Sequence, residues 1–144
     1  MKLVSGNQQW LQAAAFYLRY QVFVLEQGIA AEDEFDTLDE SEEILYLVYF
    51  DGSLPIATLR YQKLDTQTLN PDRFCVSKAY RKNGIGKKLL LIAEEKAQEE
   101  GCTRAVLSAE LTATTFYEKL GYTVSSSPYE EDGILCVKME KKWC

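Results

Sequence analysis

The sequence predicts a mixed α/β fold in which a parallel strand pair is flanked by antiparallel strands, with helices on both faces of the sheet. Three observations carry this. A strand–helix–strand pattern spans 72–109, and such a unit in one sheet needs a right-handed crossover between parallel strands. Hairpin signals stand before and after it, which place antiparallel neighbours at its sides. Two stretches show apolar residues at helical spacing, one on each side of the first hairpin. The 144 residues, 47% of them apolar, suit one domain, 1–144, with one good core.

In chain order, residues 7–25 read as a helix whose stripe is Trp10, Leu11, Ala14, Leu18, Val22 and Leu25, ending near Gly28. An acidic loop follows. Residues 44–50 (ILYLVYF) and Leu54–Gln62 are strands joined by Asp51-Gly52, a hairpin turn signal. Asn70-Pro71 marks a turn before a third strand, 72–77. Residues 84–100 form the clearest helix, with Ile85, Leu89, Ile92, Ala93 and Ala97 on one side and Gly101 as its stop. Residues 104–109 are a buried strand. A short helix over 112–120 takes Thr112 as N-cap and Gly121 as C-cap. Two last strands, 122–126 and 134–140, enclose a polar turn, Pro128–Gly133.

Composition removes several function classes. The chain has no histidine, which excludes Ser-His-Asp and Cys-His catalysis and the commonest metal ligand. A general base must be Asp, Glu, Tyr, Cys or a water chain. The cysteines at 75, 102, 136 and 144 form no CxxC pair, so they read as reduced, packed thiols, and no metal is expected. A net charge of −6 argues against nucleic acid. No long apolar run signals a membrane span, and the polar start lacks a secretory signal, so a cytoplasmic location is expected. The charge is also uneven. Residues 32–43 hold eight acids, and residues 73–88 hold six bases and no acid. Such runs are most often solvated faces.

The most informative stretch is Val76-Ser-Lys-Ala-Tyr-Arg81-Lys82-Asn83-Gly84-Ile85-Gly86-Lys87-Lys88. A strand leads into a glycine-bearing turn that opens the best helix. Unpaired N–H groups and a partial positive charge sit at a helix N-terminus, and glycines let a phosphate approach. The spacing is neither a Walker A nor a dinucleotide fingerprint, because Arg81 and Leu89 occupy the required glycine positions. Arg81-x-x-Gly84-Ile85-Gly86 is similar to the Q/R-x-x-G-x-G/A signature of the GNAT acetyltransferases, and Ala113-Thr-Thr-Phe116-Tyr117-Glu118-Lys119-Leu120-Gly121-Tyr122 resembles that family's A-x-x-FYEKLGF motif. The resemblance is tight over 72–125 and looser over 1–71.

What the resemblance implies is an acyl-CoA N-acyltransferase fold, with acetyl-coenzyme A lying where the central parallel pair splays. The pyrophosphate would meet the backbone from Arg81 to Lys87 (Arg81, Lys82, Asn83, Gly84, Ile85, Gly86, Lys87), and the pantetheine arm would lie along Cys75 and Val76. The reaction would be acetyl transfer to a primary amine of a small-molecule acceptor by direct attack on the thioester. By the resemblance, a backbone N–H near Val76 serves as oxyanion donor, and Tyr117 as general acid to the departing thiolate. A homodimer is the assembly that the family suggests. One departure from the family pattern is Glu110, where Asn is common. The base stays open among Glu26, Glu34, Asp36, Asp72 and Glu110.

A second pattern, Arg19-x-x-Val22-Phe23-Val24-x-Glu26-Gln27-Gly28 followed by Glu34-x-Asp36-x-x-Asp39, resembles a GNAT subgroup and also the acyl-homoserine-lactone synthases. It implies that the acidic stretch forms an acceptor wall that draws in a cationic amine. Two other readings stand beside the enzyme: a non-catalytic module that binds acetyl-coenzyme A, and a lactone-synthase-like acyltransferase.

Overall fold

The computed structural model describes residues 1–143, so Cys144 lies outside the described residues. The chain opens with a strand that the sequence reading did not foresee, β1 (Lys2–Gly6), paired antiparallel with β2 (Leu45–Asp51). Helix α1 (Gln9–Arg19) continues as a π-helical segment over Tyr20–Glu26, where Gln27 N donates to Val22 O five residues back. Leu11, Ala15, Leu18 and Val22 are buried, whereas Leu25, expected on the same stripe, is 70% exposed. The wider π turn advances less per residue and rotates Leu25 off the buried face. The acidic stretch contains a short helix α2 (Ala31–Glu34) and a 3₁₀ turn at Thr37–Glu40 capped by Asp36.

Strand β2 pairs with β3 (Leu54–Tyr61) through the expected Asp51-Gly52 hairpin. Alternate residues of β2 serve two cores. Tyr46 and Val48 pack with α1, and Leu47 faces the cluster built on Leu89, Ala93 and Ala97. Burial on both faces is why this strand reads as an unbroken apolar run. The last three residues named belong to α3 (Ile85–Glu99).

The splay sits at Asn70-Pro71. A small hairpin, β4 (Lys63–Asp65) and β5 (Thr68–Leu69), brings the chain to β6 (Asp72–Val76). It is β5, not the expected 72–77 strand, that pairs parallel with β7 (Arg104–Glu110), in the register Thr68↔Arg104 and Leu69↔Ala105. Beyond Pro71, β6 crosses to the other sheet and pairs with β3. Proline has no N–H for a ladder, so the parallel pairing ends there. The Asn70 side chain donates to Val106 O at 2.7 Å and closes the root of the gap. The first sheet runs β1-β2-β3-β6.

A 3₁₀ turn, Leu111–Ala113, precedes α4 (Thr114–Lys119), so Ala113 takes the N-cap place expected for Thr112. Leu120 takes the C-cap place expected for Gly121, and Gly121, with φ 97°, follows it and turns the chain out of the helix. Then come β8 (Thr123–Val124), β9 (Tyr129–Glu131) and β10 (Ile134–Lys142), and the second sheet runs β4-β5-β7-β10-β8 with β9 on β10. Strand β9 occupies what reads in the sequence as a polar turn. The actual turn is Asp132-Gly133, both left-handed at φ 52° and 82°, which is the twist a tight hairpin requires.

Candidate functional site

A cavity of about 800 Å³ opens between β6 and β7 and runs to the start of α3. That volume lies in the range of small-molecule sites. Val76, Cys75, Arg81, Lys82, Gly84, Ile85, Gly86, Lys87, Tyr117, Glu110, Glu34 and Asp72 all line it. Asn83, Glu26 and Asp36 do not.

At the basic end, Gly84 takes the N-cap position of α3 with φ 76° and no side-chain cap. The first intrahelical bond is Lys88 N to Gly84 O, which leaves the N–H groups of Ile85, Gly86 and Lys87 without helical partners. A Cβ built on Gly84 would meet nothing within 4 Å. The backbone is therefore bare where an anion would rest, and the residues fit a pyrophosphate. A Cβ at Gly86 would come 3.3 Å from Phe74 and 3.4 Å from Val76, so that glycine is needed for close packing of α3 on β6.

The β6 floor turns a donor into the cavity. Ser77 N donates to Ile56 O, while Val76 opposes Ala57. Antiparallel pairs alternate between bonded and non-bonded, so the Val76 N–H points away from β3 and toward the splay. The Val76 carbonyl accepts Arg81 Nε at 2.9 Å. Upstream, Arg73 and Phe74 oppose the single residue Leu59, a β-bulge in which Arg73 has φ 47°. Cys75 is buried, and burial pushes its thiol up, so it contributes backbone and packing rather than a thiolate.

Tyr117 is 9% exposed, with its ring packed against Phe74, Phe116 and Tyr122. Burial first and the charge of Glu110 second hold its phenol well above the ordinary range, with no hydrogen bond contributing. It stays a neutral donor.

The acidic loop behaves differently from the expected open wall. Glu34 meets Arg19 and Arg73, each at 3.0 Å. Asp36 meets Arg60 at 2.7 Å and Arg73 at 3.2 Å. Asp39 meets Arg19 at 2.8 Å and Arg60 at 3.2 Å. Asp72 accepts two bonds from Arg60, at 2.8 and 2.7 Å. Burial raises Glu34 against the pull of Arg73 and Arg19. For Asp39, burial is outweighed by the bonds from Arg19 and the carboxyl falls to about 2. Glu26 lies outside the cavity and grips Arg81 with both oxygens, one at 2.7 Å. Of the five expected base candidates, Glu110 alone lines the cavity without an arginine on its carboxylate among the described residues.

Residues to which the sequence reading gave no part in the site complete the walls: Phe23, Ile29, Phe74, Phe116, Ser108, Glu131, Asp132, Ile134 and Cys136. The last four belong to the β9–β10 hairpin. The signal for it was Asp132-Gly133 between strand-forming residues.

The chain matches the family model of the acetyltransferase (GNAT) domain over residues 16–143. It is 34% identical to the N-acetyltransferase YjcF of Bacillus subtilis, itself uncharacterized, over 98% of this chain and 99% of that one. It is 36% identical to YyaT of the same organism over 89% of this chain and 86% of that one. Among solved structures, a Lactobacillus plantarum protein assigned to the N-acetyltransferases superposes with a TM-score of 0.93 at 42% identity, covering 99% of this chain and 98% of that one.

Proposed function

The chain belongs to the GNAT acetyltransferase family, and on that premise we propose that it moves the acetyl group of acetyl-coenzyme A directly onto a primary amine of a small-molecule acceptor. The observation that carries the reading is one cavity that joins an anion cradle, an outward backbone donor and a packed tyrosine whose unbonded hydroxyl opens into it. The α3 N-terminus and the backbone from Arg81 to Lys87, with the side chains of Lys82 and Lys87, would hold the cosubstrate's pyrophosphate, while the Arg81 guanidinium stays on Glu26 and Val76 O. When bound, the cosubstrate supplies an activated acetyl thioester.

The protein's own tasks are three. The Val76 N–H donates to the thioester carbonyl oxygen as negative charge develops there. Tyr117 gives a proton to the departing sulfur, whose ordinary pKa of roughly 8.5 makes it a good leaving group. Glu110 removes or relays the proton of the acceptor ammonium, whose free pKa is about 10.4. It has this role because the other four carboxylates are held by arginine. The new C–N bond forms as the C–S bond breaks, and on the way from ammonium to amide the nitrogen gives up two protons: one leaves through Glu110 to solvent, and the other replaces the proton that Tyr117 gives to sulfur.

Calorimetric titration with acetyl-coenzyme A, with ATP and NADH as controls, tests the reading. Selective binding followed by thiol release with amines is the expected result. A folded sample that does not bind acetyl-coenzyme A refutes it.

A further inference from the structure

The cavity wall opposite the cradle is one face of a three-stranded ladder. Directly opposed residues of antiparallel strands share a face, and alternate residues along each strand return to it. Glu110 of β7 opposes Cys136 of β10, and Ile134 of β10 opposes Glu131 of β9. These four therefore stand on one face, with Asp132 at its turn, and all five line the cavity. The middle of the face is apolar and its edges are carboxylates. Glu131 accepts the Ser108 hydroxyl at 3.0 Å. None of Glu110, Glu131 and Asp132 has an ion-pair partner among the described residues, although Lys138 lies on the same face, opposite Ser108. Arg73, another basic residue of the lining, is taken up by Glu34 and Asp36.

A second, independent feature points to a ligand at the same place. The Tyr117 phenol is nine-tenths buried, lines this cavity and has no bond within the protein contributing to its state. No buried side-chain oxygen lacks a partner among the described residues, so this unbonded hydroxyl opens into the cavity, where a bound molecule can meet it. The lining thus carries opposite charges, with Lys82 and Lys87 at the α3 start and the carboxylates of Glu110, Glu131 and Asp132, free of ion pairs among the described residues, on the β7–β9–β10 face.

We propose that the acceptor is a small di- or polyamine: its reacting nitrogen meets Glu110 beneath Tyr117, its alkyl spacer runs along Cys136 and Ile134, and a second cationic nitrogen is held by Glu131 and Asp132. The inference rests on the acetyl-transfer reading of this site and adds the substrate class. Charge-assisted hydrogen bonds to a carboxylate discriminate strongly, and losing two of them lowers specificity by about ten- to a hundred-fold.

The test is thiol release from acetyl-coenzyme A with three amines of equal chain length: putrescine, butylamine and γ-aminobutyrate. They differ only in a cationic, neutral or anionic far end. The expected kcat/KM for putrescine exceeds that for butylamine by about tenfold or more, with γ-aminobutyrate lowest. The double substitution Glu131→Gln with Asp132→Asn brings the putrescine-to-butylamine ratio toward one; as a ratio within one sample, it is insensitive to a partly unfolded fraction. Butylamine or γ-aminobutyrate used as well as putrescine, or a ratio unmoved by the double substitution, overturns the inference. So does binding of acetyl-coenzyme A with no turnover of putrescine. No binding of acetyl-coenzyme A at all would instead bring down the acetyl-transfer reading on which it rests.

Discussion

Replacing Tyr117 by phenylalanine separates chemistry from folding more cleanly than any other change at this site. The ring keeps its neighbours: centroids lie 5.1 Å from Phe116, 5.9 Å from Tyr122 and 6.5 Å from Phe74. The hydroxyl that is removed opens on the cavity and no internal hydrogen bond holds it, so the folded state loses no bond and stability should change by less than about 0.5 kcal/mol. General acid catalysis contributes about 10²–10⁴-fold, and a thiolate leaves without much help, so the expected fall in kcat is about ten- to a thousand-fold. That corresponds to about 1.4–4 kcal/mol of barrier. Because the proton is given only as the C–S bond breaks, kcat and kcat/KM fall together while acetyl-coenzyme A affinity is unchanged. Burial and Glu110 raise the phenol, so Tyr117 remains protonated through the neutral and mildly alkaline range and the wild-type rate should show no loss there from its ionisation. Single-turnover acetyl transfer by rapid quench isolates the step, and thermal denaturation checks the fold. A variant with wild-type Tm and a single-turnover rate within about twofold of wild type would refute the acid role.

Other expectations follow from the same geometry. Gly84→Asp puts a side chain and a negative charge into open space at the α3 cap, at φ 76°, and should weaken acetyl-coenzyme A binding by at least about tenfold in calorimetry. Glu110→Gln should lower kcat most at low pH, where the acceptor ammonium most needs a base, and a pH profile parallel to wild type would remove it from that role. Arg19→Leu takes one partner each from the buried Glu34 and Asp39. It should cost about 3–5 kcal/mol, read as a Tm lower by roughly 10 °C. Asp39 has its carboxyl held down at about 2, from 3.8, by Arg19 against burial. A depressed carboxyl stabilises the fold above its unfolded pKa and loses that contribution as pH falls. About 2 kcal/mol should disappear between about pH 4 and pH 2, and urea titrations of Asp39→Asn should lack that part of the acid dependence.

The sequence carried the glycine-bearing helix start and the Tyr117 segment because both are local. Arg81 to Lys87 and Ala113 to Tyr122 are contiguous motifs, and a strand entering a glycine-bearing helix start defines its own geometry. The partner of the central strand was less accessible. Thr68–Leu69 is two residues long, and no periodicity identifies a strand of that length; only its pairing with Arg104 and Ala105 does. Strand β9 was hidden by Glu130, Glu131 and Asp132, which look like loop composition although Asp132-Gly133 supplies the turn. The π turn after Arg19 could not be read from an apolar stripe, since the stripe assumes a constant angle per residue. The acidic stretch was misleading for a different reason. Its charge is visible in sequence, but its partners Arg60 and Arg73 lie on strands far along the chain.

Those arginines connect the acidic loop to the opening of the sheet. A residue at φ 47° with a Cβ costs about 1–3 kcal/mol unless its surroundings determine it. Arg73 is determined by Glu34 and Asp36 through its side chain and by Glu34 O at 3.1 Å. Arg60 on β3 ties Asp36 to Asp72, the first residue of β6. The loop therefore fixes the β-bulge at Arg73 and Phe74, and a bulge bends and twists its strand. That bend shapes β6 on the β3 side, away from β7, where the Val76 N–H has no ladder partner. The carboxylates that the sequence offers as a lure for a cationic acceptor are thus spent on the shape of the site. Selection by charge falls to Glu110, Glu131 and Asp132, which no internal cation occupies among the described residues.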